Sequence, residues 1–397
     1  MSKRFLTAVL ATLLSVSLSV TAFAGSAPAE TAEFDALPAA VMVGNDLPVK
    51  SAILMEQTTG KVLFEKNPDQ RMAPASITKI MTMLLVFEAL DSGKIKYTDV
   101  ITCSEHANSM GGSQIWFKVG EKMTVDELLR ATAIKSANDA SVALAEYVGG
   151  TETQFADMMN AKAEQLGMKN THFKNASGLD EDGHYSSARD IAIMSRELMK
   201  HKDVVKYTTV WMDYLRNGAT QLVNTNKLIR FYEGATGLKT GTTNDAGVCL
   251  SATATRGDLS VVAVVLGAAN SDDRFSAARG LLDYAFVNYV MVPPPDISEM
   301  VKPIRVKNGT ADYVMPEYNA PSGVVVAKAD KSKVTSQVNI SPQLAAPIQK
   351  GQKIGSVTVH IDGDVLCEYP ITAKYEIEKM TFGRALLGLM NSIAKIK

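Results

Sequence analysis

At 397 residues, with 46% hydrophobic and 21% charged residues, the chain has an ordinary globular composition and is long enough for more than one domain. A formal net charge of −1 lacks the bulk basicity that nucleic-acid binding by counterion release requires, so that class is set aside. Three scattered cysteines (Cys103, Cys249, Cys367) are too few for a disulfide framework, and five histidines without paired-ligand spacing lead us to expect no metal and no cofactor.

The chain begins with Lys3 and Arg4, then an uncharged apolar stretch from Phe5 to Phe23 that ends in the small-x-small triplet Ala22-Phe23-Ala24. Residues 1–24 therefore read as an export signal, and its removal takes the formal charge from −1 to −3. The mature protein is then expected outside the cytoplasm. Residues 25–48 are a polar, Ala/Pro-rich leader expected to be flexible, and a first domain is expected over 49–291.

Within that domain, two apolar runs around Thr58-Thr59-Gly60 predict a hairpin. From Ser76 to Leu90 apolar residues fall on every face, which predicts a central helix buried all round. Further helices are expected over Val125 to Val148, about Gln154 to Leu166, and Ala188 to His201. Strands return in "VCLSATATRGDLSVVAVVLGA", turning at Arg256-Gly257-Asp258, and one more helix runs from about Asp272 to Tyr289. This order predicts an α+β domain, with the sheet completed by both ends of the segment.

Three prolines in "VPPPD", Val292 to Asp296, mark a domain boundary. Short alternating runs with turns at Asn308-Gly309 and Asp362-Gly363 then predict a small all-β domain over 297–375. In the remaining segment, 376–397, Phe382, Leu386, Leu389, Met390, Ile393 and Ile396 share one helical face, and Arg384, Gly388, Asn391 and Lys395 take the other. From Lys379 onward there are four basic residues and no acid, too few apolar residues in a row to span a bilayer, and so an expected interfacial membrane helix.

Chemistry enters at "MAPASITKIMT", where Ser76 and Lys79 stand three residues apart. On a helix that spacing stacks the two side chains on one face, so the amine reaches the hydroxyl. A serine needs a base to become a nucleophile, and a lysine is a base only if burial or a second cation favours its neutral form. Ser136-Ala137-Asn138 lies in a helical region, and Lys239-Thr240-Gly241 is expected just before a strand. Each motif is weak alone. Their order and context carry the signal.

On these three motifs the chain resembles the penicillin-binding protein and serine β-lactamase superfamily. Within it, the chain is similar to the low-molecular-mass D-alanyl-D-alanine carboxypeptidases from about Ser51 to Lys397, including the loop "NASGLDEDGHYSSARDIA", the β domain and the terminal helix. The resemblance implies a β-lactamase/transpeptidase-like catalytic domain with helices around an antiparallel sheet. It also implies a serine peptidase acting on peptidoglycan pentapeptide ending in D-Ala-D-Ala, acylated by β-lactam antibiotics, and held at the outer face of the bacterial cytoplasmic membrane.

Residue by residue, it implies that Ser76 attacks the penultimate D-Ala carbonyl, Lys79 takes its proton, and Ser136 relays a proton to the leaving amine. Asn138 would hold the substrate amide and Lys79. Lys239, Thr240 and Arg274 would capture the substrate carboxylate, and Gly241 completes the third motif. The backbone N–H groups of Ser76 and Thr242 would form the oxyanion hole. One departure stands out: Ser177-Gly178-Leu179 replaces the His-Gly-Leu of many relatives, and nearby His184 is given no role. Rival readings are a β-lactamase, against which the ExxLN signature is missing, a D,D-transpeptidase, and a non-catalytic penicillin-binding or wall-binding module.

Overall fold

The computed structural model describes residues 46–394 apart from Pro321. The signal-peptide expectation and almost all of the leader lie outside the described residues.

The central sheet has the order β2-β1-β9-β8-β7 and is antiparallel throughout. The hairpin β1 (Ser51–Glu56) and β2 (Val62–Lys66) supplies one side. The strands β7 (Ala235–Thr243), β8 (Gly247–Arg256) and β9 (Leu259–Ala268) supply the other, so the two ends of the segment do complete one sheet. In β9 successive side chains alternate between two cores: Val262, Val264 and Leu266 face one, Val261, Ala263 and Val265 the other. A strand covered on both faces reads as an unbroken apolar run, which is what β9 shows in sequence. Helix α9 (Ser271–Asn288) covers one face, and the larger helical layer covers the other.

Between β2 and β7 that layer contains α1 (Lys79–Asp91), the small pair β3 (Val100–Thr102) and β4 (Lys122–Thr124), and α2 (Glu105–Asn108). It continues with α3 (Val125–Arg130), α4 (Asn138–Gly149), α5 (Glu152–Gln165), α6 (Ala188–Leu198) and α7 (Val205–Thr208). The hairpin β5 (Met212–Leu215) and β6 (Thr220–Val223) and the short α8 (Leu228–Phe231) complete it. As expected, α1 is buried on every face from Lys79 to Phe87.

The single helix expected over Val125 to Val148 is instead broken. After α3 a wide turn spans Ala131–Lys135, Ser136 takes a left-handed φ of 65°, and α4 begins at Asn138. Neither Gly nor Pro marks the break. It exists because another segment satisfies its backbone groups: Ser113 Oγ donates to the Lys135 carbonyl (2.8 Å) and Asn138 N–H donates to the Ser113 carbonyl (2.7 Å). Similarly, Lys239-Thr240-Gly241 lies inside the edge strand β7 rather than ahead of a strand.

After α9 the chain passes through β10 (Tyr289–Val292) and then the three prolines to the β domain, and β10 itself pairs with that domain's β14 (Val324–Ala327). Lys61 Nζ adds a bond to the Val325 carbonyl at 2.8 Å. The β domain's other strands are β11 (Ile304–Lys307), β12 (Tyr313–Val314), β13 (Pro316–Tyr318), β15 (Val334–Ile340), β16 (Gln343–Ala345), β17 (Lys353–Ile361) and β18 (Asp364–Ala373). Its core includes Ile377, which the sequence boundary assigned to the terminal helix. Residues 377–380 bond back to Ile348, Thr310 and Asn308, so the helix α10 (Phe382–Ala394) begins only after them. Phe382, Leu386, Leu387, Met390 and Ile393 of α10 are exposed.

Candidate active site

Ser76 sits in a 3-10 turn, Ala75–Thr78, that feeds directly into α1. Ala75, just before it, holds a left-handed φ of 49°. Such a conformation is uncommon outside glycine and persists only where neighbours enforce it. The neighbours here are two glycines. A Cβ on Gly241 would lie 3.0 Å from both Ala75 Cβ and the Pro74 carbonyl oxygen, so only glycine lets β7 close on the serine turn. Gly178 (φ +81°) lies closer still, since a Cβ there would fall 1.9 Å from the Ala75 oxygen.

Lys79 is fully buried, and its Nζ reaches three oxygens: Ser76 Oγ at 3.1 Å, Asn138 Oδ1 at 2.6 Å and the Ser177 carbonyl at 2.6 Å. Two of these accept only. A neutral amine has two hydrogens for them and one lone pair left, directed at the serine hydroxyl. Burial pushes the Lys79 amine well below the ordinary lysine range, and the nearby Lys239 charge lowers it further, against smaller opposite effects from Asp139 and Glu152. The amine is thus poised as a base. Asn138 is itself fixed, its Nδ2 donating to the Gly111 carbonyl at 2.7 Å.

Lys239 is equally buried and is lowered to about 7, first by burial and then by Arg274. Arg274, lowered to about 10 by burial, donates to the Cys249 carbonyl (3.3 Å) and Ser271 Oγ (3.2 Å), while its buried Nε has no hydrogen-bond partner. Among the described residues neither cation forms an ion pair. Two desolvated cations without a carboxylate make a ready anion site. Thr240 Oγ1 donates to Thr225 Oγ1 (2.7 Å), and Thr225 N–H bonds to the Ile134 carbonyl, tying β7 to the break beside Ser136. Thr242 follows at the same strand edge, its Oγ1 donating to the Gly241 carbonyl at 2.8 Å.

The structure thus brings Ser76, Lys79 and Asn138 into direct contact and ranges Lys239, Thr240, Gly241 and Arg274 beside them, with Ser136 at the break that aims Asn138. Three contributors escaped sequence reasoning. The Ser177 group that reaches Lys79 is its backbone carbonyl, which any residue at that position supplies. Gly178 is required by the close approach just described. His184, given no role from the sequence, is buried: its Nδ1 accepts from Lys174 N–H (3.1 Å), so its Nε2 carries the hydrogen and donates to Thr78 Oγ1 (2.8 Å). Burial lowers its pKa to about 4, keeping it a neutral brace behind the serine turn.

Comparison with known proteins shows the family of the chain. Residues 39–270 match the family described as D-alanyl-D-alanine carboxypeptidase, and residues 297–379 match the family described as penicillin-binding protein 5, C-terminal domain. The chain belongs to the D-alanyl-D-alanine carboxypeptidase family. It is 46% identical to D-alanyl-D-alanine carboxypeptidase DacF of Bacillus subtilis over 88% of this chain and 90% of that one. Among solved structures, it is similar to penicillin binding protein 5 from Haemophilus influenzae, with a TM-score of 0.74 and 30% identity over 84% of this chain and 98% of that one. Penicillin-Binding Protein D2 from Listeria monocytogenes, solved in its ampicillin-bound form, aligns with a TM-score of 0.56 and 32% identity over 61% of this chain and 98% of that one. The family's catalytic domain and β domain are both present, with the second match ending at residue 379, ahead of α10.

Proposed function

We propose that this chain is a serine D-alanyl-D-alanine carboxypeptidase that trims peptidoglycan pentapeptide stems and is blocked by β-lactams. The observation that carries the reading is the buried Lys79 amine, held between Ser76 Oγ, Asn138 Oδ1 and the Ser177 carbonyl. In this mechanism the substrate's terminal carboxylate docks against Lys239, Thr240 and Arg274. Neutral Lys79 takes the Ser76 proton as Oγ attacks the penultimate D-Ala carbonyl. The oxyanion faces the backbone N–H groups of Ser76 and Thr242. Collapse breaks the C–N bond, a proton passes through Ser136 to the departing D-Ala amine, and water then hydrolyses the Ser76 ester.

The chain is further proposed to act outside the cytoplasm, attached to the outer face of the cytoplasmic membrane by α10. The exposed apolar residues Phe382, Leu386, Leu387, Met390 and Ile393 support that attachment, because an interfacial helix binds through buried apolar area plus basic charge. Among the described residues no helix is long and apolar enough to cross a membrane.

Because residues 377–380 belong to the β domain core and its edges, the informative truncation is after Thr381. Lacking residues 1–24 and 382–397, the protein is expected to release D-Ala from a soluble D-Ala-D-Ala pentapeptide as fast as the form that keeps α10, yet not to co-sediment with anionic liposomes. Absence of D-Ala release from either form would refute the carboxypeptidase reading. Liposome binding by the truncated form would refute the role of α10.

A further inference from the structure

Trp116 is one of only two tryptophans in the chain; it is 72% exposed and sits at a left-handed φ of 58°. A bulky side chain in that region is an outlier, and here an apolar indole also stands in water. The surrounding structure enforces both. Its neighbours Ile115 and Phe117 are buried, and their N–H groups donate to the buried Asp139 carboxylate, at 3.1 and 3.2 Å from Ile115 and 2.9 Å from Phe117. From the other side Arg216, itself at φ 53°, donates to the Ile115 carbonyl (2.9 Å) and the Trp116 carbonyl (3.3 Å) while paired with Glu121. Two charged clamps therefore hold one exposed ring outward. Glycine or asparagine would adopt this backbone with less strain, so packing and backbone conformation do not explain the tryptophan.

Its position does suggest a purpose. Asn138, next to the clamping Asp139, contacts Lys79 through Oδ1 and the Gly111 carbonyl through Nδ2, and its N–H bonds to the Ser113 carbonyl. The segment 111–117 therefore borders the site on the Asn138 side, and Trp116 lies within about 11 Å of Ser113 by chain length. A stem peptide that left the site on the Asn138 side would run beside this segment. In a pentapeptide the third residue lies about 3.5 Å upstream of the penultimate D-Ala, whereas the sugar-bearing end is about 7 Å beyond it.

We propose that Trp116 is a specificity-determining residue that forms the outer wall of the substrate site and packs its indole face against the third-residue side chain of the stem. The proposal rests on the carboxypeptidase reading. It gives the exposed ring a function, and the guanidinium of Arg216 beneath it is occupied by two carbonyls and Glu121.

The test compares two soluble pentapeptides ending in D-Ala-D-Ala, one with lysine and one with glycine at the third position. For the unmutated protein, the kcat/KM ratio of lysine to glycine peptide is expected to be about tenfold. Trp116→Ala is expected to bring it near one, and Trp116→Phe to keep most of it. In a Ser76→Ala, Trp211→Phe protein, where Trp116 is the only tryptophan, the lysine peptide should quench or shift indole emission more strongly than the glycine peptide. An unchanged ratio in Trp116→Ala, or an equal loss on both peptides accompanied by slower benzylpenicillin acylation, would overturn the proposal. No D-Ala release from either peptide by the unmutated protein would overturn the underlying activity, and the emission titration would then judge the contact on its own.

Discussion

Lys79→Ala is expected to slow acylation of Ser76 by at least about a thousandfold, the range in which a positioned general base acts. The amine is the group in contact with Ser76 Oγ that can accept its proton, and its burial beside Lys239 favours the neutral form. The same geometry fixes the pH dependence. The acid limb of kcat/KM follows loss of the Lys79 proton, while the alkaline limb in the free enzyme follows Lys239, at about 7. Because the second limb reports carboxylate capture, it should weaken for a substrate whose C-terminus is amidated. Stopped-flow acylation across pH checks both limbs. Retention of acylation within tenfold in the alanine variant would remove Lys79 from the base role.

The accompanying stability change has a definite sign. Both lysines hold a proton more weakly in the folded protein than in the unfolded chain. Stability therefore rises with pH between their lowered folded values and the ordinary lysine range. For Lys239, the interval from about 7 to about 10.4 corresponds to on the order of 4–5 kcal/mol.

Gly178→Ala is expected to produce the second large effect. Its Cβ would lie 1.9 Å from the Ala75 oxygen and 2.8 Å from Thr78 Oγ1, at a φ of +81°. Either the loop or the serine turn must move. A displacement near 1 Å at a reacting group lowers the rate about a hundredfold, and the clash together with backbone strain should cost about 2–4 kcal/mol of stability. Gly257→Ala is the control. Gly257 also has a positive φ, +57°, but nothing lies within 4 Å of its added Cβ in the turn from β8 to β9. That variant should lose only about 1–2 kcal/mol and acylate normally. Thermal unfolding and benzylpenicillin acylation measured on both variants separate backbone strain from contact. Equal behaviour of the two would contradict the role given to Gly178.

These cases show which parts of the architecture can be read from the chain. Strand β9 and helix α1 were legible because burial on all faces leaves an unbroken apolar run. The motif residues were legible because Ser76 and Lys79 interact through local helical geometry. The break at Ser136 was not, because the groups that stabilise it belong to Ser113, outside the Val125 to Val148 segment, and leave no local mark in its pattern. The Ser177 carbonyl carries no side-chain signature at all. His184 was given no role because its partner, Thr78, is 106 positions away. Ile377 was assigned to the terminal helix because a buried edge residue and the start of an amphipathic helix look alike in sequence.

The central claim is that Ser76 is the nucleophile, and mass spectrometry of the protein after incubation with benzylpenicillin tests it most directly. The account predicts one adduct per chain with the mass of the intact antibiotic, carried by the peptide that contains Ser76 and absent from Ser76→Ala. An adduct on another residue, or none on folded unmutated protein, would contradict it.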